Sequence, residues 1–340
     1  MDALARLLDG PRAQGAFLLR SVFDPPWSVR VRDRAPLTVL AMARGQGWLV
    51  PDDAEPVQLR ERDVAILRGP DPYIVADRPD TEPTIVVHQG QRSTSTTGDP
   101  LCETLDLGVR TWGTGSADGG SDVMLIGTYD VPGEISGRLL DALPPRLVIS
   151  HQTWDSPLVP LLATEIGRAE PGQEVVLDRL LDLLLIAALR EWFARPESSA
   201  PAWYRAHSDP VVGAALRLLH ANPAHPWTVA ELAAKAGTSR AVLGRRFTAL
   251  VGEPAMAYLT GWRLAMAADL LREPGNTVDA VARKVGYGSG FALSAAFKRV
   301  RGVSPRGYRD DTGSGSPGGP QHTADGKILV GANADSAAGN

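Results

Sequence analysis

The 340-residue sequence predicts an α+β chain of two domains, with a sheet-rich N-terminal half and an all-α C-terminal half. Three observations predict it. Short apolar runs punctuated by Pro, Gly and Asp fill the chain from Phe17 to Ile149. From Leu158 the apolar spacing lengthens to a helical period. Lastly, "TVAELAAKAGTSRAVLGRRFTAL" (Thr228 to Leu250) returns as "TVDAVARKVGYGSGFALSAAFKR" (Thr277 to Arg299).

In order along the chain, "FLLRSVF", "WSVRVR", "LTVLAMA", "GWLVP", "DVAILRG", "YIVAD", "TIVVHQ" and "DVMLIGTYDV" read as strands. Many short strands at close spacing predict an antiparallel sandwich or barrel. The stretch from Gln91 to Asp122, rich in Ser, Thr, Gly and Asp, reads as a long and partly mobile loop. "LVPLLATEIGRA" and "GQEVVLDRLLDLLLIAALREWFA" read as helices. The second is apolar nearly all round and needs cover on more than one side, either from the barrel and its helices or, the favoured reading, from a second subunit. "RPESSAPAWYRAHSD" breaks the pattern and reads as a linker, and "PVVGAALRLLHAN" is a further helix. Beyond Asp310 the tail is poor in large apolar residues and is expected to be disordered. The expected boundaries are therefore a first domain over 1–195, a linker over 196–209, a second domain over 210–310 and a tail over 311–340.

Composition narrows the function classes. The single cysteine, Cys102, excludes an internal disulfide framework and fits a reducing cytoplasm. "MDALARLLDG" lacks the positive cluster and apolar run of a secretory signal. The longest apolar stretch is interrupted by Asp182 and Arg190, which argues against a membrane span. Net charge is −4, but it is unevenly placed. Pro226 to Asp310 carries 13 Lys and Arg against 6 Asp and Glu, a net of +7, whereas the remaining residues sum to −11. A basic segment on an acidic body is the asymmetry of a nucleic-acid reader, the alternative being a solvated basic face.

The repeat has a physical reading. Thr228 and Thr277 are N-caps, and Glu231 completes a capping box in the first copy. Leu232 and Val281 bury one face of a short helix, which Gly237 and Gly286 end. Ser239 and Ser289 cap a second helix, in which Leu243 and Phe247, or Leu293 and Phe297, fall four apart on the buried side. Each copy is a helix–turn–helix, whose second helix can enter a major groove. Between them "EPAMAYLTGWRLAMAADLLRE" forms one long helix with Tyr258, Leu259, Trp262, Ala265, Met266 and Leu270 as its apolar side. Two recognition helices on one face of B-DNA would sit about 34 Å apart.

The segment from Pro226 to Arg309 resembles the DNA-binding domain of the AraC/XylS family of transcription regulators. It carries the paired units and the closing G-x-S-P-x-x-Y-R as Gly302, Ser304, Pro305, Tyr308 and Arg309. The resemblance implies a DNA interface built on Ser239, Arg240, Arg245, Arg246, Ser289, Gly290, Ala292, Lys298, Arg299 and Arg301. Arg240 and Arg245 are the candidates for base edges. Arg246, Lys298, Arg299 and Arg301 are the candidates for phosphates. The second unit departs from the family: Gly290, Phe291, Ala292 and Ala295 stand where polar side chains normally face bases.

"GQGWLV", "LRERDVAILRGPDPYIVAD", "LLDALPPRLVI" and "VLDRLLDLLLIAALREWF" resemble the cupin-type ligand-binding half of one branch of the same family, which implies a cupin-like β-barrel with trailing helices. Cupin enzymes hold a metal on a close His-x-His pair, a carboxylate and a later His. No His-x-His occurs here, Tyr73 stands where a histidine is common, and His88 and His151 are isolated. We therefore expect no cofactor, no metal and no catalysis. Trp27, Trp48, Tyr73 and His88 are candidates for a small-molecule pocket, ordinary core packing being the alternative. The expected function is a cytoplasmic transcription regulator that binds double-stranded promoter DNA. A small-molecule effector, a homodimer and, for an activator, RNA polymerase are its expected partners. A cupin enzyme with an appended DNA-binding module and a constitutive regulator whose β half only dimerises are the competing readings.

Overall fold

A computed structural model describes residues 17–116, 119–129, 140–196, 198, 200–273 and 275–313. The chain divides into two compact units, one built on Gly15–Tyr129 and Pro145–Leu185, the other on Ile186–Ser316.

Strands of the first unit are numbered in chain order. β1 (Phe17–Phe23), β3 (Leu37–Arg44), β6 (Val64–Arg68), β10 (Asp106–Gly108), β11 (Thr111–Gly113), β12 (Asp122–Tyr129) and β13 (Arg146–Ile149) form one sheet, ordered β10-β11-β1-β12-β3-β6-β13. β2 (Ser28–Arg32), β4 (Gln46–Pro51), β5 (Val57–Arg60), β7 (Tyr73–Ala76), β8 (Ile85–His88) and β9 (Arg92–Ser95) form the other, ordered β5-β4-β7-β2-β8-β9. Phe23, Leu40, Met42, Leu67 and Met124 of the first sheet meet Val29, Val31, Leu49, Val75 and Val87 of the second in one core. Alternation then sends Leu37, Val39 and Ala41 of β3 to the opposite face, where they are also buried. Helices supply that cover. α1 (Leu158–Glu165) packs on β3, and α2 (Gln173–Ala194) presses on β12, where a Cβ at Gly127 would lie 2.5 Å from Leu181 Cδ2. Asp122 ties the sheets together: its carboxylate accepts from Trp27 Nε1 at 2.8 Å and from the Gln46 N–H at 3.0 Å.

The facing sheets of the expected sandwich or barrel form, and among the described residues no ladder joins their edges. Two other expectations are corrected. The stretch from Gln91 to Asp122 is not one loop, since it supplies β9, β10 and β11. Their polar sequences RSTS, DLG and TWG hide the strand pattern. The stretch read as a linker is ordered from Ala202 onward, as described next. α2 buries Leu177, Leu181, Leu184 and Leu185 but leaves Val175, Val176 and Leu183 at 61%, 44% and 51% exposed.

The second unit is helical. α3 (Ala202–Arg205) and a 3-10 turn (Ala206–Ser208) precede α4 (Pro210–Ala221), α5 (Val229–Lys235), α6 (Arg240–Val251), α7 (Ala255–Arg272), α8 (Val278–Val285), α9 (Gly290–Arg301) and α10 (Pro305–Gly313). Two cores form. Ala206, Leu216, Leu219, Trp227, Leu232, Leu243 and Phe247 build the first, so the supposed linker contributes to it. Leu271, Val281, Val285, Leu293 and Phe297 build the second. α7 serves both: Tyr258 and Leu259 enter the first core, and Leu264, Ala267 and Ala268 the second. At 18 residues it is about 27 Å long. The expected tail lies outside the described residues from 314 onward, while Asp311–Gly313 close α10.

Candidate nucleic-acid interface

Both helix–turn–helix units are assembled by the same local chemistry. The Glu231 N–H donates to Thr228 Oγ1 at 3.1 Å, and the Ala280 N–H to Thr277 Oγ1 at 3.2 Å, which caps α5 and α8. The capping box is half formed, because the Glu231 carboxylate lies 3.0 Å from His225 Nε2 instead of reaching back to Thr228. Gly237 and Gly286 turn the chain with φ of +68° and +85°. Gly286 also packs against the loop that leads into the first helix–turn–helix, since a Cβ there would lie 2.5 Å from the Ala224 carbonyl oxygen. Ser239 Oγ then accepts from the Val242 N–H at 3.3 Å, and Ser289 Oγ from the Ala292 N–H at 3.2 Å. α6 and α9 thus start in the same frame, and each ends at a left-handed glycine, Gly252 or Gly302.

This frame decides which side chains stand free. Leu243 and Phe247, and likewise Leu293 and Phe297, are fully buried. At about 100° per residue, Ala241, Arg245 and Thr248 of α6 point away from that face, as do Phe291, Ala295 and Lys298 of α9. Arg240, Arg245, Ala292, Lys298 and Arg299 are exposed.

Three of the sequence-predicted DNA contacts have other engagements. Arg246 reaches Asp209 with Nε at 2.7 Å and Nη2 at 2.6 Å. Asp209 in turn caps α4, its Oδ1 accepting from the Val211 and Val212 N–H groups at 3.0 and 2.9 Å. Burial pushes the Asp209 carboxyl up, but the Val212 N–H, Arg246 and the Val211 N–H outweigh it and hold the group below its usual range. Gly290 is buried against α8 rather than turned outward. Its N–H donates to Asp279 Oδ1 at 2.8 Å, and a Cβ would lie 2.5 Å from that oxygen. Arg301 is half-buried, with its guanidinium 5.7 Å from the Phe297 ring centre.

Sequence reasoning missed the residues that hold the frame. From α7, Arg263 donates to the Pro223 and His225 carbonyls, both at 2.7 Å, and pins the loop before α5. Arg309 donates to the Leu271 and Asn276 carbonyls at 3.2 and 2.7 Å, and Tyr308 packs on Phe297 at 5.5 Å. The G-x-S-P-x-x-Y-R motif was legible as a mark but not as this clamp, which needs tertiary contacts.

In the first unit the four pocket candidates separate. Trp27 and Tyr73 point into the core between the sheets. Burial, then the Asp33 charge, push the Tyr73 hydroxyl far above the usual tyrosine range. Trp48 and His88 alternate with the inward residues Leu49 and Val87, so they face the other way. His88 Nε2 lies 2.9 Å from Thr94 Oγ1. Tyr73 also lines a small cleft with Asp33, Arg34, Thr38, Arg68 and Arg146. Among the described residues no three His, Cys, Asp or Glu side chains cluster as a metal site, and no helix is long and apolar enough to cross a membrane.

Comparison with known proteins assigns both halves. A cupin family model matches residues 2–194, and a helix-turn-helix domain model matches residues 232–311. The chain is 35% identical to an AraC-like transcription regulator from Streptomyces antibioticus, over 91% of this chain and 98% of that one. It is 33% identical to the HTH-type transcriptional regulator AlkR of Acinetobacter baylyi, over 59% of this chain and 66% of that one. The crystal structure of the DNA-binding domain of AdpA, a global transcriptional factor, in complex with a target DNA is also similar. It is 34% identical over 32% of this chain and 96% of that one, with a TM-score of 0.30. With a cupin half followed by a duplicated helix–turn–helix half, the chain belongs to the AraC-like family of DNA-binding transcription regulators.

Proposed function

We propose that this regulator reads two successive major grooves of promoter DNA and is controlled through its cupin half. The observation that carries the reading is the single helix α7, shared by both helical cores, with α6 and α9 opening in the same frame on either side of it. Arg240 and Arg245 then read base edges in the first groove, guanine O6 and N7 being the natural partners of a guanidinium. Lys298 and Arg299 hold phosphates, and the capped first turns at Ser239 and Ser289, with Ala292, approach the groove floor. Arg246, Gly290 and Arg301 support the frame instead.

The cupin half acts without catalysis, as a receptor for a small molecule. The effector shifts the balance between two arrangements of the regulator, and Tyr73 is its candidate contact. The exposed apolar stripe Val175, Val176 and Leu183 of α2 is the contact of a homodimer. RNA polymerase is the further partner where the regulator activates. The protein works in the cytoplasm, with the first domain over 1–195 and a DNA-binding domain over 210–310 to whose first core the residues from Ala202 also contribute.

Selection of bound duplexes from a randomised pool by the full chain tests the DNA reading. Enrichment of a site with two specified segments about one helical turn apart supports it, and equal binding to all duplexes overturns it. A rise in melting temperature with a small molecule, lost in Tyr73→Ala, tests the receptor role.

A further inference from the structure

We propose that Phe291 is the specificity-determining residue of the second recognition helix, and that it recognises the C5-methyl groups of thymine. The inference rests on the DNA-reading function above and deepens it. Phe291 is 85% exposed, more than any other large apolar side chain among the described residues. An aromatic ring in water forgoes the gain of burial, and the fold does not need this one there: Leu293 and Phe297 already fill the core beneath α9. Its direction is fixed. Ser289 caps α9 as Ser239 caps α6, so Phe291 occupies the place that Ala241 holds in the first unit. It points about 160° away from Leu293, along the same outward ridge as Ala295 and Lys298.

That ridge has little else with which to read a base. Gly290 is turned into the fold by Asp279, while Ala292 and Ala295 end in methyl groups. Small neighbours leave the ring standing clear in the first turn of α9, the part of a recognition helix that meets base edges. Lys298 and Arg299, near the other end of the helix, bring it to the backbone. A major groove offers one apolar feature to such a side chain, the thymine methyl group. The first unit, with Arg240 and Arg245, reads hydrogen-bonding edges, and the second reads methyl groups.

The test uses the full chain and a duplex that it selects from a randomised pool. Each thymine of the second segment is replaced in turn by deoxyuridine, which removes only the methyl group, and affinity is measured by fluorescence anisotropy at fixed salt. One or two replacements are expected to weaken binding about fourfold each, the worth of one buried methyl-sized group. Phe291→Ala is expected to bind the thymine duplex more weakly and to lose the thymine–uracil difference. Phe291→Leu is expected to keep part of that difference. Both variants should keep the wild-type salt dependence, since no phosphate contact is removed. Equal wild-type affinity for thymine and uracil at every position overturns the proposal, as does a difference that survives Phe291→Ala. Phe291→Ala that binds DNA normally but fails in transcription also overturns it and makes the ring a protein contact. Failure to select any site at all overturns the DNA-reading function itself, a separate result.

Discussion

Arg246 offers the sharpest contrast between a charge that looks ready for DNA and one already engaged. Its guanidinium meets one oxygen of Asp209 while the other oxygen caps α4. The two roles of Asp209 can be separated by substitution. Asp209→Ala removes the cap, worth about 1 kcal/mol, and the ion pair, worth about 0.5 kcal/mol because the Arg246 side chain is 47% exposed. Arg246→Ala removes the pair alone. The expected losses are therefore about 1.5 and about 0.5 kcal/mol, with Asp209→Asn close to the smaller value because its amide oxygen can still cap. Hydrogen exchange of the Val211 and Val212 amides in the full chain reads this locally. Exchange should quicken about tenfold in Asp209→Ala and about twofold in Arg246→Ala. Since Asp209 is held below the ordinary carboxylate range, its contribution is present above that range and fades as pH falls through the depressed folded value. Arg246→Ala should also leave the salt dependence of DNA binding unchanged. Equal exchange effects for Arg246→Ala and Asp209→Ala would refute the cap-plus-pair reasoning. A drop of a full unit in the salt slope for Arg246→Ala would return that arginine to the phosphates.

Three further outcomes follow from the same geometry. Arg245→Ala should cost about 1–3 kcal/mol on its preferred duplex and relax choice at one base pair, whereas Lys298→Ala should weaken all duplexes alike and flatten the salt slope by about one. Binding isotherms on specific and random DNA at several salt concentrations separate the two. Gly286→Ala combines a left-handed backbone with a Cβ 2.5 Å from the Ala224 carbonyl, so urea denaturation should show a loss of about 2–4 kcal/mol. Gly288→Ala, which meets open space, should cost less than about 1 kcal/mol. Burial, then the Glu174 and Asp182 carboxylates, raise Asp178 to about 6. The fold therefore favours its neutral form, and that stability, full below the unfolded value of 3.8, is lost as pH rises through the folded one. Asp178→Asn should accordingly raise Tm near neutral pH, by an amount that shrinks on acidification.

The sequence is most legible where chemistry is local. N-caps at Thr228, Ser239, Thr277 and Ser289 depend only on residues three positions away, and the structure has all four. The long strands β3 and β12 show a continuous apolar run because helices cover one face of their sheet and the core the other. β5, β9, β10 and β11 escape notice because a strand of three or four residues is too short for a readable alternation. Distant partners escape entirely. Arg246 and Asp209 are 37 residues apart, and no sequence spacing pairs them, so Arg246 reads only as a candidate for phosphates. Gly290 looks like a missing polar side chain until Asp279, 11 residues earlier, is seen to occupy the space a Cβ would need.

Footprinting of major-groove guanines and thymines on the selected duplex tests the central claim most directly. Protection of two patches on one face of the duplex, about one helical turn apart, is the expected result, the distal patch vanishing when the Val278–Arg301 unit is unfolded by Phe297→Asp. Protection limited to one groove, or two patches that persist in that variant, would contradict it.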